Sequence, residues 1–137
     1  LLATLIRYFP PTEFNEPRGV YVKANGDIYV ADYNNGRIQL WKNGSDSGET
    51  VFDNSKIPAS LPKKYLPAGT NLDQPLKPTD VYVNSSSEIY VLDHSFGYVW
   101  KLNSNDNVAE ILIDNLYDDS NFNGANPQDL EFINLQN

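Results

Sequence analysis

At 137 residues the chain has the length of one domain, and a net charge of -8 with only 10 Lys and Arg provides no basic face to neutralise phosphates, which argues against nucleic acid as a partner. The absence of cysteine excludes disulfides, Cys-ligated zinc and thiol catalysis. No stretch approaches the roughly 18 consecutive apolar residues of a spanning helix, and residues 1–6 are too short for one or for a complete signal peptide, so no membrane insertion is expected.

In chain order, the first predicted element is a strand over residues 4–9, read as the outer strand of an incomplete blade that occupies residues 1–13. Strands follow at 18–23, 27–32, 37–42 and about 49–52, separated by clusters of Gly, Asn and Asp. Within them Val20-Tyr21-Val22 and Ile28-Tyr29-Val30-Ala31 are wholly apolar, the mark of strands buried on both faces. Such burial usually means a parallel sheet under helices, but turns as tight as Ala24-Asn25-Gly26-Asp27 leave no room for helical crossovers. The strands must be antiparallel, and antiparallel sheets are covered on both sides when they stack on copies of themselves, as propeller blades do.

Residues 55–77 form a connection with prolines at 58, 62, 67 and 75, reaching Pro78, with Lys63-Lys64-Tyr65 among them. It is too rich in proline for a helix or an inner strand, and it reads as a docking arm or an ordered lid. Strands then return at 79–84, 88–93, 98–102 and 108–113. A shift of 61 residues superimposes Pro17 on Pro78, Val20-Tyr21-Val22 on Val81-Tyr82-Val83, Ile28-Tyr29-Val30 on Ile89-Tyr90-Val91, Asp32 on Asp93 and Gly36 on Gly97. A third copy begins at Pro127, where Asp129 matches Asp80 at a shift of 49. The organisation is therefore blade 1 over 14–54, the proline-rich loop over 55–77, blade 2 over 78–115, and a loop with the first strand of a third blade over 116–137.

The segment Glu16-Pro17-Arg18-Gly19-Val20-Tyr21-Val22, continuing through Gly26-Asp27-Ile28-Tyr29-Val30-Ala31-Asp32 to Asn35-Gly36-Arg37-Ile38, resembles the NHL repeat. The second copy departs from it with Asp80 in place of Gly19 and Tyr98 in place of Arg37. The resemblance implies an all-β, partial β-propeller of four-stranded antiparallel blades, usually six to a ring in that family. Propeller rings need about four to eight blades, so two blades with loose strands are expected to be a piece of a larger ring or to be completed by other chains.

Chemistry-bearing residues are sparse. The turns between the second and third strands of each blade and the connections from one blade to the next share one end of a propeller, and Tyr33, Asn34, Asn35, His94, Phe96 and Tyr117 are read as its binding face, for a protein or glycan ligand. Asp32 and Asp93 are expected to brace the turns that follow them. Asp119-Ser120-Asn121-Phe122-Asn123-Gly124 has the alternating oxygen ligands of a calcium loop, with Asp119, Asn121 and Asn123 as ligands, although a complete loop would have Glu where Leu130 stands. Asn43 and Asn84 lie in sequons at hairpin tips of one end, which raises glycosylation and an extracellular location as expectations.

Non-catalytic binding or structural assembly is the function these features favour. The alternative is a fragment of a metal-dependent enzyme of the lyase or lactonase type that the resemblance brings with it, with Asp80 and Asp129 as ligands in a central channel. Partners are expected to be further blades or other copies of the chain, because each end of a two-blade piece would present an apolar face. Strands near 5–9 and 130–133 would add unpaired edges. Association would then run head to tail, into a ring or a filament.

Overall fold

A computed structural model describes residues 13–59 and 74–113. β1 (Pro17–Val22), β2 (Ile28–Asp32), β3 (Arg37–Trp41) and β4 (Glu49–Phe52) make one antiparallel sheet in chain order. β5 (Pro78–Val83), β6 (Ile89–Asp93), β7 (Tyr98–Leu102) and β8 (Ala109–Ile113) make a second. The one helical piece among the described residues is the short turn Asn54–Lys56, where the Asp53 carboxylate accepts the Ser55 N–H at 2.9 Å. The expected all-β architecture of four-stranded antiparallel blades is therefore present. The strands expected at 4–9 and 130–133 lie outside the described residues.

The sequence repeat is also a structural one. Every Cα partner in the first sheet recurs 61 residues later in the second, from Val20 opposite Val30 and Val81 opposite Val91 to Ile38 opposite Phe52 and Val99 opposite Ile113. Even the irregularities coincide, between Pro17 and Gly19 in one sheet and between Pro78 and Asp80 in the other. Both strands open on proline, whose missing N–H is tolerated at the first position of a strand.

Register decides which residues share a face. Val20 pairs with Val30, Val22 with Ile28 and Ile28 with Trp41, so these lie on one side of the first sheet; Tyr21, Tyr29, Ala31, Ile38 and Leu40 lie on the other. That second side packs on the second sheet, with β1 and β2 against β5. Tyr29, Ala31, Ile38 and Leu40 share one core with Val81, Val83, Ile89 and Val91. Stacking of the two blades thus explains the apolar residues on this side of β1 and β2 and those of β5 and β6 that face them.

Close approach of the innermost strands depends on Gly19. A Cβ there would lie 2.7 Å from the Asp80 Cα and 2.7 Å from the Thr79 carbonyl oxygen. The sequence leads one to expect an open apolar face at each end of the pair. The outward side of blade 1 is open at Val20, Val22 and Ile28, with Gln39 on the same side buried, but Tyr90, Leu92 and Val99 on the far side of blade 2 are buried.

Candidate functional site

Two turns meet at the end of the blades opposite the hairpin tips: Tyr33 to Gly36 between β2 and β3, and His94 to Gly97 between β6 and β7. Each is anchored by the aspartate before it. Asp32 is fully buried; its Oδ1 accepts the Asn15 N–H at 2.8 Å, and its Oδ2 accepts Arg37 Nε at 2.7 Å and Asn35 Nδ2 at 2.8 Å. Asp93, also fully buried, has Tyr98 where blade 1 has Arg37. It replaces that cation with neutral donors: Lys77 N and Ser95 N on Oδ1, Phe96 N and Trp100 Nε1 on Oδ2, and the Ser95 hydroxyl. Burial pushes the Asp93 carboxyl above the ordinary aspartate value, and those donors oppose the push. Asp93 therefore braces its own turn through backbone N–H groups as expected. Asp32 holds its turn through side chains, and both carboxylates clamp the segment entering the first strand of their sheet, Asp32 at Asn15 N and Asp93 at Lys77 N.

The anchored turns bring Tyr33 and His94 together, with ring centroids 6.4 Å apart. Two cations join them. The Arg18 Cζ sits 3.4 Å from the centre of the Tyr33 ring, and Lys77 Nζ lies 5.2 Å from that centre while donating to Asn34 Oδ1 at 3.1 Å. Attraction of a cation to an aromatic face is worth about 0.5–1 kcal/mol at exposed sites. The stack therefore fixes Tyr33 across the seam between the blades. Arg18 and Lys77 are not repeat equivalents of each other, so the internal repeat gave no signal for them.

The expected binding-face residues separate in the structure. Tyr33, Asn34, Asn35 and His94 lie at this end, with Asn34 exposed and the other three half-buried. Asn35 Nδ2 is engaged by Asp32 and by the Glu13 carbonyl, so it supports the turn. Phe96 is a correction: it is buried, stacked on Tyr98 at 5.9 Å and edge-on to Trp100 at 5.6 Å. The Asp93 carboxylate draws the Phe96 N–H back over the sheet, and an apolar ring gains by leaving water. Tyr117, Asp119, Asn121, Asn123 and Asp129 lie outside the described residues.

Asp80 lies at the blade seam beside Gly19, half-buried. Burial pushes its carboxyl up, and the Val81 N–H, donated to Oδ1 at 2.9 Å, works against that. Among the described residues no three His, Asp or Glu side chains gather as a metal site.

Asn43 and Asn84 occupy the opposite end, where Lys23 Nζ donates to Ser87 Oγ between the blades. Asn43 is exposed and donates to the Asn25 carbonyl. Asn84 is half-buried; its oxygen accepts Ser86 N and Glu88 N, and its amide donates to Glu88 Oε2 at 2.6 Å. That bond and Lys101, at 3.1 Å from Oε1, hold the Glu88 carboxyl below the ordinary glutamate value. A lowered folded value means that Glu88 adds stability above the pKa of the unfolded chain and loses it as pH falls through the folded value. In urea titrations the advantage of the native chain over Glu88→Gln is expected to shrink as the pH falls from 6 towards about 3; an advantage that grows on acidification would contradict this assignment.

No curated protein matches the chain. Residues 14–40 match the NHL repeat family model, a span that runs from the segment before β1 through β2 and into β3, and includes Asp32, Tyr33 and Arg37. The NHL repeat match thus falls within the first sheet, on β1, β2 and most of β3, and the second sheet is built in the same register.

Proposed function

We propose that this chain is a non-catalytic propeller module that works by assembly, joining further blades through a sheet face and presenting the end around Tyr33 and His94 to a protein or glycan ligand. One contrast supports this reading. Val20, Val22 and Ile28 are 62%, 58% and 38% exposed, whereas the identical residues Val81, Val83 and Ile89, one repeat later, are 3%, 1% and 7% exposed under blade 1. Burying a valine or isoleucine side chain is worth about 1.5–3 kcal/mol. Phe14 and Trp41 extend the open face, with ring centroids 6.0 Å apart, beside a hollow of about 300 Å³. Contiguous apolar surface of this kind marks an association site.

The test has two arms. Replacing Val20 and Val22 together by glutamate is expected to remove binding of a hydrophobic dye, while the unfolding free energy stays within about 0.5 kcal/mol, as for exposed positions. Unchanged dye binding would overturn the assembly reading. In the second arm, the chain is assayed with lactone and ester substrates in the presence of calcium, zinc or manganese, and no turnover is expected. Metal-dependent turnover that Asp80→Asn abolishes would establish the enzymatic alternative, for which the half-buried Asp80 carboxylate is the supporting feature.

A further inference from the structure

We infer that the open face of blade 1 is matched to one kind of partner: an NHL-type blade with glycine at the place of Gly19 and with small and aliphatic residues at the places of Ala31 and Leu40, a partner that a second copy of this chain does not supply. The inference rests on the assembly reading above and names its partner.

The complement of the open face is visible within the molecule. Val20, Val22, Ile28 and Val30 are the same residues, in the same register, as Val81, Val83, Ile89 and Val91. The latter set is covered by Tyr29, Ala31, Ile38 and Leu40 of blade 1. Gly19 completes the fit, because with no side chain it lets β1 close on the backbone of Thr79 and Asp80. The quartet and its register are identical, so the same kind of cover fits over β1 and β2; on β3 the face differs, with Gln39 and Trp41 where blade 2 has Trp100 and Leu102.

The far side of blade 2 does not provide that cover. Its residues at the places of Gly19, Ala31 and Leu40 are Asp80, Leu92 and Lys101. A side chain at the first place stands where two backbones must approach, and leucine overfills a space shaped for alanine. Lys101 is already committed to Glu88 at 3.1 Å and Glu110 at 3.8 Å, and covering it would desolvate a charge. Tyr90 and Leu92 are also buried within their own chain. Blade 1 of a second copy has the right face, but its own blade 2 already occupies it. Head-to-tail repetition of this chain alone therefore fails at the matching step.

The chain contains no cysteine, so Val20→Cys creates a single thiol that reports on this face. Its rate of reaction with a disulfide reagent would be compared in three proteins: the chain itself, the chain extended at its N-terminus by a second copy of residues 14–77, and the same extension carrying Gly19→Asp, Ala31→Leu and Leu40→Lys in the added blade. The first extension is expected to slow labelling at least tenfold, and the substituted extension to leave it within twofold of the unextended chain. Labelling of the unextended chain should not depend on its concentration. Because three substitutions together risk unfolding the added blade, Gly19→Asp alone is made in parallel, with circular dichroism on each protein; it should restore most of the labelling rate.

The outcomes separate the two readings. Equal protection by both extensions would overturn the matching while leaving assembly intact. Protection by neither, with the added blades folded, would overturn both. Concentration-dependent protection of the unextended chain would identify a second copy as the occupant and overturn the inference.

Discussion

Replacing Gly19 by alanine is expected to cost about 3 kcal/mol, the upper end for an overpacked interior position, and to lower the melting temperature by roughly 10 °C. Backbone conformation is not the reason. Alanine at a compatible strand position would ordinarily stabilise by about 0.4–1 kcal/mol through the unfolded chain, and Gly19 has none of the positive φ angle seen at Gly36. The sign is set by the neighbouring blade, because the new methyl would sit 2.7 Å from the Asp80 Cα and the Thr79 carbonyl oxygen. Backbone atoms cannot rotate away, so the blades must separate, and the valines of β5 lose part of their cover. Truncating the neighbour should not help: Gly19→Ala combined with Asp80→Ala is expected to remain nearly as unstable as the single variant in urea titrations. Full recovery in the double variant would mean that the Asp80 carboxylate, and not the strand backbone, sets the spacing.

The second large effect is expected at Asp32. Both carboxylate oxygens accept from nitrogen donors, Oδ1 from Asn15 N and Oδ2 from Asn35 Nδ2 and Arg37 Nε. An asparagine amide, in either orientation, would point an NH₂ group at one of those donors. Arg37, whose side chain is only 15% exposed, would also lose its carboxylate. Asp32→Asn is therefore expected to cost about 3 kcal/mol, the lower end for breaking a buried ion pair. Asp93→Asn is expected to cost less, about 2 kcal/mol, because it leaves opposed donors but strands no cation. Adding Arg37→Met to Asp32→Asn removes the stranded charge and is expected to recover part of the loss in thermal unfolding. A larger penalty at Asp93 than at Asp32 would show that the neutral donor set, and not the ion pair, is the stronger anchor.

Much of the fold was legible in the sequence because it is written locally and then repeated. Wholly apolar runs between turns too short for a crossover force antiparallel strands of the kind that stack, and the shift of 61 residues carries the strand pairing of the first sheet onto the second. The NHL resemblance at the first copy coincides with the span that the family model matches. Asp32 and Asp93 were legible as turn anchors because an aspartate carboxylate at the head of a turn can accept N–H bonds from the residues that follow it. Only the tertiary structure decided what depends on the neighbour across the seam. Phe96 stands in a turn by sequence, yet Tyr98 and Trp100 supply an apolar platform that takes its ring out of water. Arg18 and Lys77 are unremarkable along the chain and meet on Tyr33 only because two blades converge there. Val20 and Val81 are the same residue in the same local pattern. One is open and the other buried because burial belongs to the packed pair of sheets and not to the strand that carries the side chain.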